Sequence, residues 1–323
     1  MLAVLFLRAA VVLALAVAAF IAFGSGWPAE LDAGRIAPAV AAAFVLMLGT
    51  VLIAGWRLAV LAGTSVSVAD GIAVNMVAQL VVLLVPSRLS EAAKPLGLNL
   101  RCGLPVASGF AVLVVERLLD TIFLAMLALC SVAVAAGPYA GSLKSSAIVL
   151  GGLGLVGVAG LMLVARRPGI VVKVATMTGS PWIKRQALQM ADALSQFATL
   201  RVAALAIALS ALSWLLSYMI FLAVIGIMGI GGLDAGDILV VFVASTLGLV
   251  ISVAPGGLGT FEAAAVLALG AFGVPITTAV ATALLLRLCL ALPIIAGGAW
   301  VLSAGGESLW TLMRRLKQPG AAP

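Results

Sequence analysis

Runs of about twenty apolar residues recur along the chain, and two of them stop at a proline followed by a short polar segment with a carboxylate. A helix needs about 20 apolar residues to cross a bilayer, so this pattern dictates a polytopic membrane fold of α-helices. Composition agrees, since 9% of the residues are charged and 64% are hydrophobic, against roughly 25% charged in a soluble chain. A cytosolic enzyme, a disordered regulator and a small secreted scaffold are excluded. The net charge of +7 then reads as cytoplasmic-side Lys and Arg rather than as a nucleic-acid surface.

Uninterrupted candidate spans are 2–23, 36–56, 105–136, 144–165, 202–228 and 275–303. The first, with Arg8 near its start, reads as a retained span rather than a cleaved signal. The two other apolar stretches, 71–85 and 235–254, run into Pro-Ser-Arg-Leu-Ser-Glu at 86–91 and Pro-Gly-Gly-Leu-Gly-Thr-Phe-Glu at 255–262. Their spacing repeats. Pro105 precedes Arg117 by 12 residues, and Pro275 precedes Arg287 by 12. The expected architecture is an internal repeat, with a first membrane repeat over 1–136, a second over 137–303, and a short tail over 304–323.

Charge bias decides how the interrupted stretches run. If each is a re-entrant helical hairpin and the N-terminus is cytoplasmic, 13 Lys and Arg lie inside, two outside (Arg35 and Lys144) and three within the membrane. Eight full crossings give only nine against six. The positive-inside rule therefore favours six spans plus two hairpins, with both termini cytoplasmic and the repeats inverted. Segment 235–254 is long enough to cross fully, which keeps the other topology open. Between the repeats, 166–201 carries six basic residues against Asp192, with apolar residues at helical spacing. It is expected to form an amphipathic helix on the cytoplasmic leaflet, as a connector between repeats or a lipid-sensing element.

Histidine is absent, and Cys102, Cys130 and Cys289 are scattered without a Cys-x-x-Cys. Histidine-dependent chemistry is excluded, and no metal, cofactor or disulfide framework is expected. Seven charged residues remain at bilayer depth: Arg88, Arg117, Arg287, Glu91, Glu116, Asp120 and Glu262. Charge there is costly, so each is a functional candidate. Guanidinium forks suit a phosphate, which makes Arg88, Arg117 and Arg287 candidate lipid-headgroup ligands. Glu116 and Asp120 share a helix face, and Arg117 lies within reach of Asp120. The four carboxylates are candidates for proton coupling, or for the structural work of neutralising arginines and capping broken helices. Pro86, Pro255, Gly256, Gly257 and Gly259 form the hairpin backbone, where glycine opens conformations closed to other residues. Asn75, Gln79, Ser245 and Thr246 are expected to bridge helices rather than touch substrate.

The motifs at 86–91 and 255–262, with Glu-Arg-Leu-Leu-Asp at 116–120 and Leu-Leu-Leu-Arg ending at Arg287, resemble in order and spacing the transmembrane, flippase-like domain of lysylphosphatidylglycerol synthases. Ser90 stands where that family commonly has glycine. The resemblance implies movement of a lipid between leaflets of a bacterial inner membrane. About 20 residues follow the last span, so the sequence looks like a stand-alone member without the synthase domain, and no enzyme activity is carried over. The lipid stays open among aminoacyl-phospholipids, hopanoids and polyprenyl-linked or other glycolipids. The expected function is a lipid translocator with membrane lipids as partners and lipid-synthesis enzymes as a second candidate. The competing readings are a non-transporting scaffold for lipid synthesis and, with less support, a headgroup-modifying enzyme.

Overall fold

A computed structural model describes residues 33–85, 90–134, 180–195, 199–252 and 254–304, with five isolated positions between 149 and 173. The spans expected at 2–23 and 144–165, the tail beyond 304, and the tip residues Pro86 and Arg88 lie outside the described residues. Those residues form helices and turns, with no strand. The helices are α1 (Ala33–Ala62), α2 (Val68–Leu84), α3 (Ala93–Cys102), α4 (Val106–Val134), α5 (Pro181–Ser195), α6 (Leu200–Ile227), α7 (Ala235–Val250), α8 (Thr260–Ala271) and α9 (Ile276–Ala304). A 3-10 turn, Pro255–Gly257, separates α7 from α8.

Three helical stretches, Val40–Ala62, Leu200–Ile227 and Ile276–Ala304, are long and apolar enough to cross a membrane. The 29 residues of α4 match α9 in length but carry Glu116, Arg117 and Asp120. The two interrupted stretches give the shorter apolar helices α2 and α7. Local chemistry sets where these begin. The Ser67 hydroxyl accepts the Asp70 amide at the start of α2. Asp234 and Asp237 form a reciprocal capping box at the start of α7. Both leave fewer helix-end amides unsatisfied in an apolar setting, where each costs several kcal/mol. Asp70 also accepts from Arg101 at 2.7 Å. Together Ser67 and Arg101 hold this peripheral carboxyl below its ordinary range.

Packing follows the rules of helices in lipid, where close backbone approach replaces hydrophobic collapse as the driving term. Helix α1 lies along both α2 and α6, α2 packs on α9, and α7 packs on α4. At the α1–α2 crossing a Cβ on Gly55 would sit 2.4 Å from the Ile72 Cα, and one on Gly71 would sit 2.5 Å from the Gly55 carbonyl oxygen. Gly298 lets α9 close on Leu80 of α2, and Gly248 lets α7 close on Thr260 and Ala264 of α8. The larger core centres on Phe221, Phe242 and Phe261, with Phe221 5.0 Å from Phe242 and 6.2 Å from Phe261. A second core, including Leu58, Leu98, Val112 and Ala206, joins α1, α3, α4 and α6.

The α5 helix packs on α4, where the Ser108 hydroxyl donates to the Gln189 carbonyl at 3.2 Å. Ala191 is buried there, while Ile183, Lys184, Arg185 and Leu188 are exposed. Ala191 of the expected apolar face is thus buried, whereas Ile183 of that face is exposed.

The α1–α2 crossing yields a stability test. Gly71→Ala forces the two backbones apart and should cost about 1–3 kcal/mol. Gly270→Ala, where a Cβ meets open space, should be neutral or slightly stabilising. Thermal unfolding of the detergent-solubilised protein checks both.

Candidate functional site: a buried charge cluster and two glutamate–arginine pairs

The middle of α4 presents Glu116 and Asp120 one turn apart, and both reach Arg57 of α1. Arg57 Nη1 donates to Asp120 Oδ1 at 2.7 Å and to the Ser210 hydroxyl of α6 at 2.9 Å. Its Nη2 donates to Glu116 Oε1 at 3.0 Å and to Asp120 Oδ2 at 3.3 Å. Lys94 of α3 completes the group, with Nζ 2.8 and 2.7 Å from the two Glu116 oxygens. Glu116 is only 2% exposed and Arg57 only 4%. Two cations and two carboxylates thus neutralise one another where four helices meet. Arg57 Nε has no hydrogen-bond partner among the described residues.

Arg117 turns to a different face of α4. Its Nε and Nη2 donate to one oxygen of Glu91 at 3.3 and 3.1 Å. The side chains are 53% and 44% exposed. The proximity of Arg117 to Asp120 in sequence does not become an ion pair, because Arg57 takes both Asp120 oxygens and Glu91 comes within reach of Arg117.

The corresponding position in α9 is built differently. Arg117 and Arg287 are each the twelfth residue of a 29-residue helix. Arg287 Nε meets Glu262 Oε1 at 2.5 Å, Nη1 donates to the Gly256 carbonyl at 2.8 Å, and Nη2 donates to the Gly257 carbonyl at 3.1 Å. Its Cζ lies 4.4 Å from the Phe261 ring centroid, a cation–π contact. Glu262 uses its other oxygen to accept the Gly259 amide at 2.8 Å, capping α8. Gly256 and Gly257 have φ of 59° and 70°. This left-handed backbone turns their carbonyls toward the guanidinium, and a side chain there would be strained.

The structure therefore joins Glu116 with Asp120, Glu91 with Arg117, and Glu262 with Arg287. It gives Arg117 and Arg287 separate carboxylates. Arg88 and Pro86 lie outside the described residues. Pro255, Gly256, Gly257 and Gly259 lie in the turn that Arg287 and Glu262 hold. Asn75 bridges helices, donating to the Val51 carbonyl of α1 at 2.9 Å. Ser245 and Thr246 bond back to carbonyls of their own helix instead, which spares the hydroxyls an apolar burial unpaired.

Three members of the cluster, Arg57, Lys94 and Ser210, are absent from the sequence-derived set. Arg57 and Lys94 read as cytoplasmic flanks because each follows a run's apparent end. A signal for Arg57 did exist: Leu58-Ala-Val-Leu-Ala62 continues the apolar pattern past it, so the arginine lies inside the helix. Lys94 carries no such mark.

A family model described as the lysylphosphatidylglycerol synthase TM region matches residues 2–298. The chain belongs to that family, and with its apolar helices it is a membrane protein. No curated protein and no solved structure matches it.

Two substitutions probe these contacts. Glu116→Gln leaves Arg57 and Lys94 short of an anion in a buried site, and should cost about 3–5 kcal/mol. Reversible unfolding in mixed micelles measures it. Arg287→Lys keeps the charge but cannot span a carboxylate and two carbonyls, so it should lose about 2–3 kcal/mol. Its melting temperature, compared with the parent, checks that figure.

Proposed function

We propose that this protein is a lipid translocator that moves a phospholipid or glycolipid headgroup between leaflets through a site between two inverted repeats. It carries out no covalent chemistry in this reading. The observation that carries it is the convergence of the two interrupted segments, each tied by a glutamate to an arginine. The Pro255–Gly257 turn packs against α2, and a Cβ on Gly256 would lie 3.1 Å from the Leu83 side chain. Glu91 precedes Arg117 by 26 residues and Glu262 precedes Arg287 by 25. In each half the first arm of the interrupted segment lies on the arginine helix of the other half, α2 on α9 and α7 on α4. A two-fold relation between 1–136 and 137–303 accounts for all of these pairings together.

Broken helices are tolerated at membrane depth where they line a cavity or are buried in protein, and inverted repeats can rock about such a centre to alternate access. Re-entrant segments accommodate the two interruptions. Excluding Arg57 and Lys94, which the Glu116 cluster takes up, from the cytoplasmic cations leaves eleven against two, so the charge bias still supports cytoplasmic termini. A bacterial inner membrane suits this topology and the family. Membership of a family named for lysylphosphatidylglycerol synthases supports a lipid as the cargo.

Reconstitution into liposomes tests the reading. Fluorescently labelled phospholipids and glycolipids should exchange between leaflets faster in proteoliposomes than in empty vesicles. Arg117→Gln should slow that exchange about tenfold at equal incorporation, the loss of a charge-assisted phosphate contact. No acceleration for any lipid in a broad panel would overturn it, and a chemically altered lipid would point to an enzyme.

A further inference from the structure

The two equivalent glutamate–arginine pairs are built for opposite tasks. Around Arg287 each donor group faces a protein acceptor, and the Phe261 ring covers one face of the guanidinium. The side chains of this pair are 10% and 18% exposed. Those bonds and the ring leave the guanidinium little open surface for an anion to approach, and pulling Arg287 away would release the 255–259 turn. Around Arg117, Nε and Nη2 share a single carboxylate oxygen, and Nη1 makes no hydrogen bond among the described residues. About half of each side chain of that pair is open. An ion pair partway along an apolar helix cannot face hydrocarbon without a large cost, so its open side meets water or headgroups.

Charge balance says what would fit. The cluster holds Arg57, Lys94 and Arg117 against Glu91, Glu116 and Asp120, a neutral set. Glu116 and Asp120 are taken up by Arg57 and Lys94. Glu91 sits in the turn before α3 and is half-exposed. Its departure leaves one uncompensated positive charge, at Arg117. A guanidinium fork freed in this way matches a phosphodiester bearing a single negative charge.

We propose that Arg117 is the headgroup-accepting arm and that Glu91 holds the place of the phosphodiester of an anionic phospholipid until one displaces it, while Arg287 is a fixed strut. This rests on the translocator reading above and assigns its ligand class and its asymmetry. Glu91 is then a competitor, and removing its charge improves binding.

The test titrates the detergent-solubilised full chain with dihexanoylphosphatidylglycerol, dihexanoylphosphatidylcholine or inorganic phosphate and follows the melting temperature. The parent should be stabilised by the glycerol lipid at lower concentration than by the choline lipid. Glu91→Gln should lower the half-saturating concentration of the glycerol lipid about threefold, the strength of a partly exposed ion pair. Arg117→Gln should raise it about tenfold, and Arg117→Lys should give an intermediate value. Unchanged or weaker binding in Glu91→Gln overturns the proposal, and this variant decides alone if Arg117→Gln fails to fold. Stabilisation by inorganic phosphate equal to that by the glycerol lipid overturns the lipid assignment. A preference for the choline lipid that Glu91→Gln abolishes would overturn it in favour of a zwitterionic headgroup. Leaflet exchange separates the two levels: tighter binding in Glu91→Gln without exchange sinks only translocation, and exchange indifferent to both substitutions sinks only this assignment.

Discussion

The guanidinium of Arg57 is the contact on which the described structure turns. It comes from α1, binds two carboxylates of α4 and the hydroxyl of Ser210 on α6, and through Glu116 reaches Lys94 on α3. A charge so deep in apolar surroundings is tolerable only when paired and hydrogen-bonded, and each partner needs the others for the same reason. The helices are thereby fixed in one register, since sliding α1, α3 or α4 by a turn would strand a charge and sliding α6 would break the Ser210 hydrogen bond. Apolar packing between lipid-like side chains sets no comparable register. Small residues such as Gly55 and Gly71 decide how near the helices come, and the charges decide where along their lengths they stop.

The same constraint divides the two halves. The half carrying Arg287 places one arginine and one glutamate at its interruption and spends them on holding a glycine turn. The half carrying Arg117 places a comparable pair beside a self-neutralising cluster, and this pair is half-exposed. The two halves match in Pro-to-Arg spacing yet hold the arginine differently, enclosed in one and half-exposed in the other. In the translocator proposed above, this separates stability from binding.

Much of the helical layout is readable from residue order alone. Apolar runs bounded by prolines give α2, α4, α7 and α9, and the matched Pro-to-Arg spacing places Arg117 and Arg287 at the same point of equal helices. Glycines at 256 and 257 mark a turn that other residues could not make. Less legible were the partners. Arg57 looks like a flank because a charge after twenty apolar residues usually ends a span, and here the helix continues to Ala62. Asp120 looked available to Arg117, three residues away, yet it serves a side chain 63 positions distant.

By itself the sequence determined that the chain is a helical membrane protein, where its helices break, and many of the charges that stand in apolar surroundings, though not Arg57 or Lys94. These follow from local chemistry: segment length against bilayer thickness, proline's missing amide, and the rarity of ionised groups in apolar segments. The tertiary structure decided which charge meets which. Pairing depends on how helices rotate and slide against one another, and that is settled only when their small residues, aromatic rings and buried charges are satisfied together. It enclosed Arg287 in a glycine turn and left Arg117 half-exposed, though in sequence the two arginines are alike.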